Sequence, residues 1–185
     1  MVLAMTDPVP LSGLILEVPE AEPAVASHRE RLDANASLGI PAHLTVLFPF
    51  MPPGEIGLTV LTSLERLFAA VSQFHFQLDR CDWFGTDVLW LGPHDPEPFR
   101  ALTRTVAQAF PDFLPYEGQF GEPVPHLTVG HGDPLADLQA AEQSVNDHLP
   151  IDAQATAITL MTQQAAAGPW TRSATFALAT SSAAT

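Results

Sequence analysis

The sequence predicts a duplicated fold of mixed helices and strands, in which two similar halves face each other across a cleft. Three observations support this prediction. The tetrapeptide His-Leu-Thr-Val occurs twice, at residues 43–46 and 126–129. Around each copy, apolar segments typical of strands alternate in the same order with segments of helical periodicity. The chain of 185 residues is 46% hydrophobic, which is enough to bury a core in one domain or in two lobes that share an interface.

The first half has the predicted order strand, helix, strand, helix, strand. Its first strand is a short apolar run that ends at Pro19, and its last strand alternates Phe74, Phe76 and Leu78 with polar residues, as a half-buried strand does. The first helix has a proline near its start, and the second has leucines at helical spacing. We expect strands over 14–18, 42–50 and 74–79, and helices over 23–35 and 58–71.

The second half repeats this order. Its first helix follows an Asp-Pro pair, and so does its second, in keeping with the residues that favour helix starts. We expect strands over 88–92, 125–130 and 151–161, helices over 95–110 and 135–149, and an extra strand over 171–178. The expected organisation is a single domain over 11–178, with repeat halves over about 11–80 and 86–162 and a flexible tail over 179–185.

The repeated tetrapeptide places two kinds of side chain on opposite faces of a strand. Because successive strand residues point to opposite faces, His and Thr share one face while Leu and Val share the other. Packing alone can explain the repeated Leu and Val, which face a core. We therefore expect the cleft between the halves to be lined by His43, Thr45, His126 and Thr128.

Two histidines and two threonines suit displacement at a phosphodiester. A base must remove a proton from the attacking water or hydroxyl, and an acid must protonate the leaving oxygen on the far side. Imidazoles titrate near neutral pH and can hold opposite protonation states, while threonine hydroxyls can donate hydrogen bonds to the phosphoryl oxygens. The sequence alone does not assign which histidine is the base. No metal or other cofactor is required.

The two motifs resemble those of the 2H phosphoesterase superfamily, which is named for two His-x-Thr/Ser-x motifs, and in particular its 2′-5′ RNA ligase-like family. The matching segments are His43–Val46 followed by LFPF, and PHLTVG at residues 125–130. The resemblance implies an α+β bilobal fold whose two antiparallel-rich sheets, flanked by helices, form a central cleft. It also implies metal-independent hydrolysis of 2′,3′-cyclic phosphates or related cyclic phosphoesters by His43 and His126, and in some members reversible 2′-5′ ligation.

Further residues near the motifs are candidates for substrate binding. Arg172, on the last predicted strand, is a candidate phosphate contact, and Phe48, Tyr116 and Phe120 are candidates for stacking on a base. Each of these four could instead be a packing residue. The three tryptophans are expected to pack in the core or in hairpins, and the single cysteine, Cys81, is expected to be an inert small hydrophobic residue. A metal site formed by His126, His131 and Asp133 is a minor alternative, since that segment is also typical of a turn after a strand.

The charge distribution limits the expected partners. The chain has 21 acidic residues against seven arginines and no lysine, and its formal net charge of −14 disfavours long duplex nucleic acid. We therefore expect a small nucleotide or a short RNA end as substrate, and a monomer. The N-terminus lacks the pattern of a signal peptide, and no apolar run approaches a membrane span, so we expect a cytoplasmic protein without membrane contact. A binding module that recognises a terminal phosphate without turnover is the alternative from another functional class.

Overall fold

The computed structural model describes residues 10–115, 123–132, 134–165 and 167–180. The strands are β1 (Leu11–Glu17), β2 (His43–Leu47), β3 (Phe74–Phe84), β4 (Val88–Pro93), β5 (Leu127–His131), β6 (Ile151–Ala155), β7 (Ala157–Gln163) and β8 (Trp170–Ala177). The helices are α1 (Glu22–Leu32), α2 (Ala34–Ser37), α3 (Leu58–Ala69), α4 (Glu97–Ala109) and α5 (Leu135–Asn146). Within these ranges no helix is long and apolar enough to cross a membrane.

The strands form two four-stranded sheets. The first sheet has the order β2-β1-β7-β8 and the second has the order β5-β4-β3-β6. Every pair of neighbouring strands is antiparallel. The predicted α+β class, with two antiparallel sheets flanked by helices, is therefore confirmed.

The sheets do not coincide with the two halves of the sequence. β3, which ends the first predicted half, pairs with β4 and β6 in the second sheet. The segment predicted as one strand over 151–161 is two strands, because the chain leaves the second sheet after β6 and enters the first sheet as β7. β6 alternates buried and less buried residues as an edge strand, whereas β7 is buried along almost its whole length. Each sheet therefore contains strands from both halves.

The predicted helix over 23–35 is also divided. α1 ends at Leu32, and Asp33 adopts an extended conformation from which its side chain accepts a hydrogen bond from the Asn35 amide, at 3.0 Å. This is the geometry of a helix N-cap, and a second short helix, α2, follows. The aspartate thus ends one helix and begins the next.

Helices of each half pack against the motif strand of the other half. α1 lies on β5, and α4 lies on β2. On α4, the buried Thr103 hydroxyl donates a hydrogen bond to the Val46 carbonyl of β2, at 2.8 Å. At the α1–β5 contact, a Cβ placed on Gly130 would lie 2.5 Å from the Leu32 Cβ. The two lobes share one continuous hydrophobic core as a result.

We expect Gly130→Ala to lower the free energy of unfolding by about 1–3 kcal/mol, since the added methyl group would overlap Leu32 and Leu138. Urea denaturation of the two proteins measures the difference. Gly54→Ala is the matched control because nothing lies within 4 Å of a Cβ at that position, so its stability should change by less than about 0.5 kcal/mol. Equal effects of the two substitutions would contradict close packing of α1 on β5.

Candidate active site

The two motifs lie on the edge strands where the two sheets meet. β2 begins at His43, and His126 immediately precedes β5. Cα atoms of these strands come within 8 Å of each other although the strands belong to different sheets. The motif leucines and valines, Leu44, Val46, Leu127 and Val129, are buried in the core, while the histidines and threonines are only partly buried. This is the alternation that the sequence predicts.

Each of the two histidine rings is held by a hydrogen bond of the same kind. His43 Nδ1 lies 2.8 Å from the carbonyl oxygen of Pro41, and His126 Nδ1 lies 2.8 Å from that of Val124, so each ring contacts the residue two positions before it. A carbonyl oxygen can only accept, so Nδ1 must carry the proton in both rings. The lone pair of each neutral imidazole is therefore on Nε2. Both rings have the tautomer in which Nε2 can act as a base.

The segment before His43 is held by three further hydrogen bonds. Arg29 donates to the Ile40 carbonyl at 3.1 Å, the Ala42 amide donates to Glu22 at 2.7 Å, and the Ala42 carbonyl accepts from the Val18 amide at 2.8 Å. These bonds fix the peptide groups on both sides of Pro41, whose carbonyl orients the imidazole. The His43 ring is thus positioned by residues of α1 and of the segment that follows β1.

Arg29 forms a buried ion pair with Asp33, one helical turn further along the chain. The Arg29 Nη2 lies 2.9 Å from Asp33 Oδ2, and the two residues are only 2% and 4% exposed. Burial lowers the pKa of His43 to about 4, and the positive charge of Arg29 adds to this effect against the opposing effects of the Pro41 hydrogen bond and Asp33. His43 is therefore neutral at physiological pH.

His126 lies among aromatic rings. Its ring is 4.9 Å from that of Phe84, in an edge-to-face arrangement, and 6.0 Å from that of Trp90. Phe84 and Trp90 also stack on each other, with centroids 4.8 Å apart. Burial lowers the pKa of His126, and the hydrogen bond to Val124 opposes that shift. The two histidines therefore share a tautomer but differ in their surroundings.

A small pocket of about 110 Å³ lies beside His43. Six of the residues that line it are His43, Thr45, Phe48, Ile40, Met161 and Trp170. The rings of Phe48 and Trp170 meet edge-to-face with centroids 6.1 Å apart. The pocket thus combines the imidazole and hydroxyl of the first motif with two aromatic walls.

The structure places Arg172 away from this pocket's lining. Its guanidinium forms two hydrogen bonds with Glu17, at 3.0 and 2.7 Å, and Glu17 is the residue opposite His43 in the β1–β2 register. Burial alone would raise the pKa of Glu17, but hydrogen bonds from Arg172 and Thr159 outweigh burial and lower it. Glu17 is therefore ionised and balances the charge of Arg172.

Two of the predicted substrate-binding residues, and one residue of the alternative metal site, are not among the residues that the structure describes. Tyr116, Phe120 and Asp133 lie outside the described residues. In the part of the chain that the structure describes, no three His, Cys, Asp or Glu side chains are grouped as metal ligands would be. His131 is exposed at the end of β5.

Several residues near the site were not identified from the sequence. Trp170 packs against a hydrophobic cluster at the start of the β7–β8 hairpin, as expected, and it also lines the pocket of His43. Trp90 is buried, as expected, and also lies beside His126. One sequence signal for Trp170 existed, because it stands two residues before Arg172 and so shares a strand face with it. For Arg29 and Asp33 the helical spacing of four residues was the available signal.

Cys81 is a poor nucleophile in this fold. It is half-buried on β3, and burial, together with the nearby carboxylates of Glu142 and Asp82, raises the pKa of its thiol to about 12. A protonated thiol is unreactive.

The chain belongs to the 2′-5′ RNA ligase superfamily, a family of 2H phosphoesterases, whose model matches residues 17–167. Solved structures with a similar fold include Escherichia coli LigT complexed with NADP+ (20% identity, TM-score 0.54, covering 94% of this chain and 99% of that one). E. coli LigT complexed with 3′-AMP is similar at 21% identity and a TM-score of 0.56, covering 93% of this chain and 99% of that one. A Thermus thermophilus protein is similar at 15% identity and a TM-score of 0.57, covering 92% of this chain and 99% of that one. No curated protein is significantly similar in sequence.

We expect the His43 ring to be neutral and protonated on Nδ1 at pH 7, and to remain neutral until the pH falls close to 4, because burial disfavours the imidazolium. Long-range ¹H–¹⁵N NMR spectra recorded between about pH 3 and pH 8 report both the tautomer and the midpoint. The spectrum of His43→Gln assigns the resonances. A midpoint near the ordinary value of 6.5, or a proton on Nε2, would contradict the described geometry.

Proposed function

We propose that this protein is a metal-independent phosphodiesterase that hydrolyses a 2′,3′-cyclic phosphate, or a related cyclic phosphoester, of a nucleotide or an RNA end. The observation that best supports this function is the matched pair of imidazoles on the facing edge strands. Each ring has its Nδ1 proton bound to a backbone carbonyl, so each Nε2 is available for proton transfer. Membership of the 2H phosphoesterase family agrees with this chemistry.

In the proposed mechanism His43 is the base and His126 is the acid. Neutral Nε2 of His43 removes a proton from water as the water oxygen attacks phosphorus. The bond from phosphorus to one ribose oxygen breaks, and the Nε2 proton of the His126 imidazolium passes to that oxygen. The product is a nucleoside monophosphate, and each proton transfer accounts for a rate factor of about 10²–10⁴. Burial lowers the pKa of His43 to about 4 and so keeps this ring neutral, which supports its assignment as the base, a choice that the sequence left open.

The threonines and aromatic residues would hold the substrate in this mechanism. Hydroxyl groups of Thr45 and Thr128 stand two residues after the histidines on the same strand faces, where they can donate to the non-bridging phosphoryl oxygens. Phe48 and Trp170 line the pocket beside His43 and offer aromatic surface to a base. Tyr116 and Phe120 stay candidates for stacking, and Arg172 for a phosphate contact.

The acidic composition supports a small substrate. A net charge of −14 repels a long phosphate backbone, so we propose a nucleotide or a short RNA end as substrate. We also propose that the protein is a cytoplasmic monomer. Ligation of RNA ends through a 2′-5′ bond would use the same residues in reverse, and the family name makes it the second candidate.

We expect His43→Ala and His126→Ala each to lower kcat for a 2′,3′-cyclic nucleotide by about 10²–10⁴, with activity unchanged by EDTA. Hydrolysis by the purified proteins, followed by chromatography of the products, measures the effect. His75→Ala is the control, since His75 is an exposed histidine of β3 and should retain full activity.

Equilibrium binding of a nucleoside monophosphate separates this proposal from a binding module. If the protein is an enzyme, His43→Ala and His126→Ala should retain measurable affinity for the monophosphate while turnover is lost. Loss of activity on chelation would overturn the metal-independent mechanism, and absence of turnover by folded wild-type protein would favour the binding module or another phosphoester.

We expect an acidic pH optimum for kcat/KM, which reports groups of the free enzyme. The base must be neutral, which holds above the His43 pKa of about 4, and the acid must be protonated, which holds below the lowered pKa of His126. The optimum should therefore lie between pH 4 and pH 6.5. In His43→Ala, the residual activity should lose the acidic limb and keep the alkaline one. An optimum above pH 7 would contradict this assignment.

A further inference from the structure

A cavity of about 740 Å³ lies next to the small pocket of His43. Ile40, Met161 and Trp170 line both spaces, so the two are neighbours. The volume lies within the range of ordinary small-molecule sites. A substrate with its phosphoester at His43 could therefore extend past Trp170 into this cavity.

The ionisable groups on the cavity wall do not favour a second phosphate beyond the reacting phosphoester. Both arginines of the wall are already paired, Arg29 with Asp33 and Arg172 with Glu17. The other ionisable residues that line the cavity are two glutamates, Glu22 and Glu30. The lining residues by themselves balance in charge, but with the partners Asp33 and Glu17 counted, four carboxylates stand against two guanidinium groups, which leaves a net charge of −2 around the wall.

The neutral groups of the wall suit a polar, uncharged ligand. Ser37 contributes a hydroxyl, Trp170 an aromatic ring and Glu30 an exposed carboxylate that can accept hydrogen bonds. Ribose hydroxyls and the exocyclic amino groups of bases are donors of the kind that these oxygens would accept.

We propose that this cavity binds the part of the substrate beyond the reacting phosphoester, and that it accepts a nucleoside while excluding a second phosphate. This inference rests on the proposed function, because it places the phosphoester at His43. It narrows the substrate class to compounds with one phosphoester and no further phosphate on the side of the cavity. An RNA strand that entered the cavity would add one negative charge for each nucleotide.

Binding of two ligands that differ by one phosphate tests the inference. Adenosine 3′-monophosphate and adenosine 3′,5′-bisphosphate are titrated calorimetrically at low ionic strength into wild type, Glu30→Lys and Glu65→Lys. Both variants change the net charge equally, but Glu65 is exposed on α3 and does not line the cavity. Glu22 is left unchanged because its carboxylate accepts a hydrogen bond from the Ala42 amide, which helps to hold the segment before His43.

We expect wild type to bind the monophosphate about tenfold more tightly than the bisphosphate, since a second phosphate would lie close to carboxylates. Glu30→Lys should reduce this ratio to about threefold or less, and Glu65→Lys should leave it unchanged. Equal affinities in wild type, or equal reductions in both variants, would overturn the inference.

Hydrolysis of 2′,3′-cyclic AMP by the same three proteins distinguishes this inference from the proposed function. Hydrolysis without a preference for the monophosphate overturns only the cavity's role. A preference that depends on Glu30, in the absence of hydrolysis, supports the cavity and overturns only the cyclic phosphodiesterase.

Discussion

The structure depends on one packing arrangement, in which each motif strand is held by a helix from the other half of the chain. α1 packs on β5 at the close approach of Leu32 to Gly130, and α4 packs on β2 through the bond from Thr103 to Val46. β2 and β5 are edge strands of separate sheets, so hydrogen bonds of a common sheet do not set their separation. The crossed helices and the shared core do so instead. The relative position of the two histidines is therefore a property of the core.

The two histidine motifs are alike in the hydrogen bond that holds each ring and unlike in their surroundings. Both imidazoles donate to the carbonyl two residues earlier, which fixes the same tautomer in each. His43, however, stands near the buried Arg29–Asp33 pair, while His126 stands among Phe84 and Trp90. Burial lowers the pKa of both histidines, and the charge of the Arg29–Asp33 pair acts in addition on His43.

The few cations of this acidic chain also explain its proposed selectivity. Arg29 and Arg172 both form ion pairs with carboxylates, so a phosphate would compete with Asp33 or Glu17 for either charge. In the proposed mechanism, phosphate recognition would depend on imidazolium, hydroxyl groups and the local shape of the pocket. Such a site suits one phosphoester better than a polyanion, in keeping with the net charge of the whole chain.

The amino-acid sequence by itself determined most of the strand and helix order, the face on which each motif residue lies, and the family. It did so because hydrophobic periodicity and the repeated motif are local properties that need no knowledge of distant partners. The tertiary structure decided that β3 joins the second sheet, that residues 151–163 form two strands in different sheets, and that Trp170 lines the pocket of His43. It also decided the proton affinities of the histidines. Strand partners and the burial of a charge depend on residues far apart in the chain, and only the folded core brings those residues together.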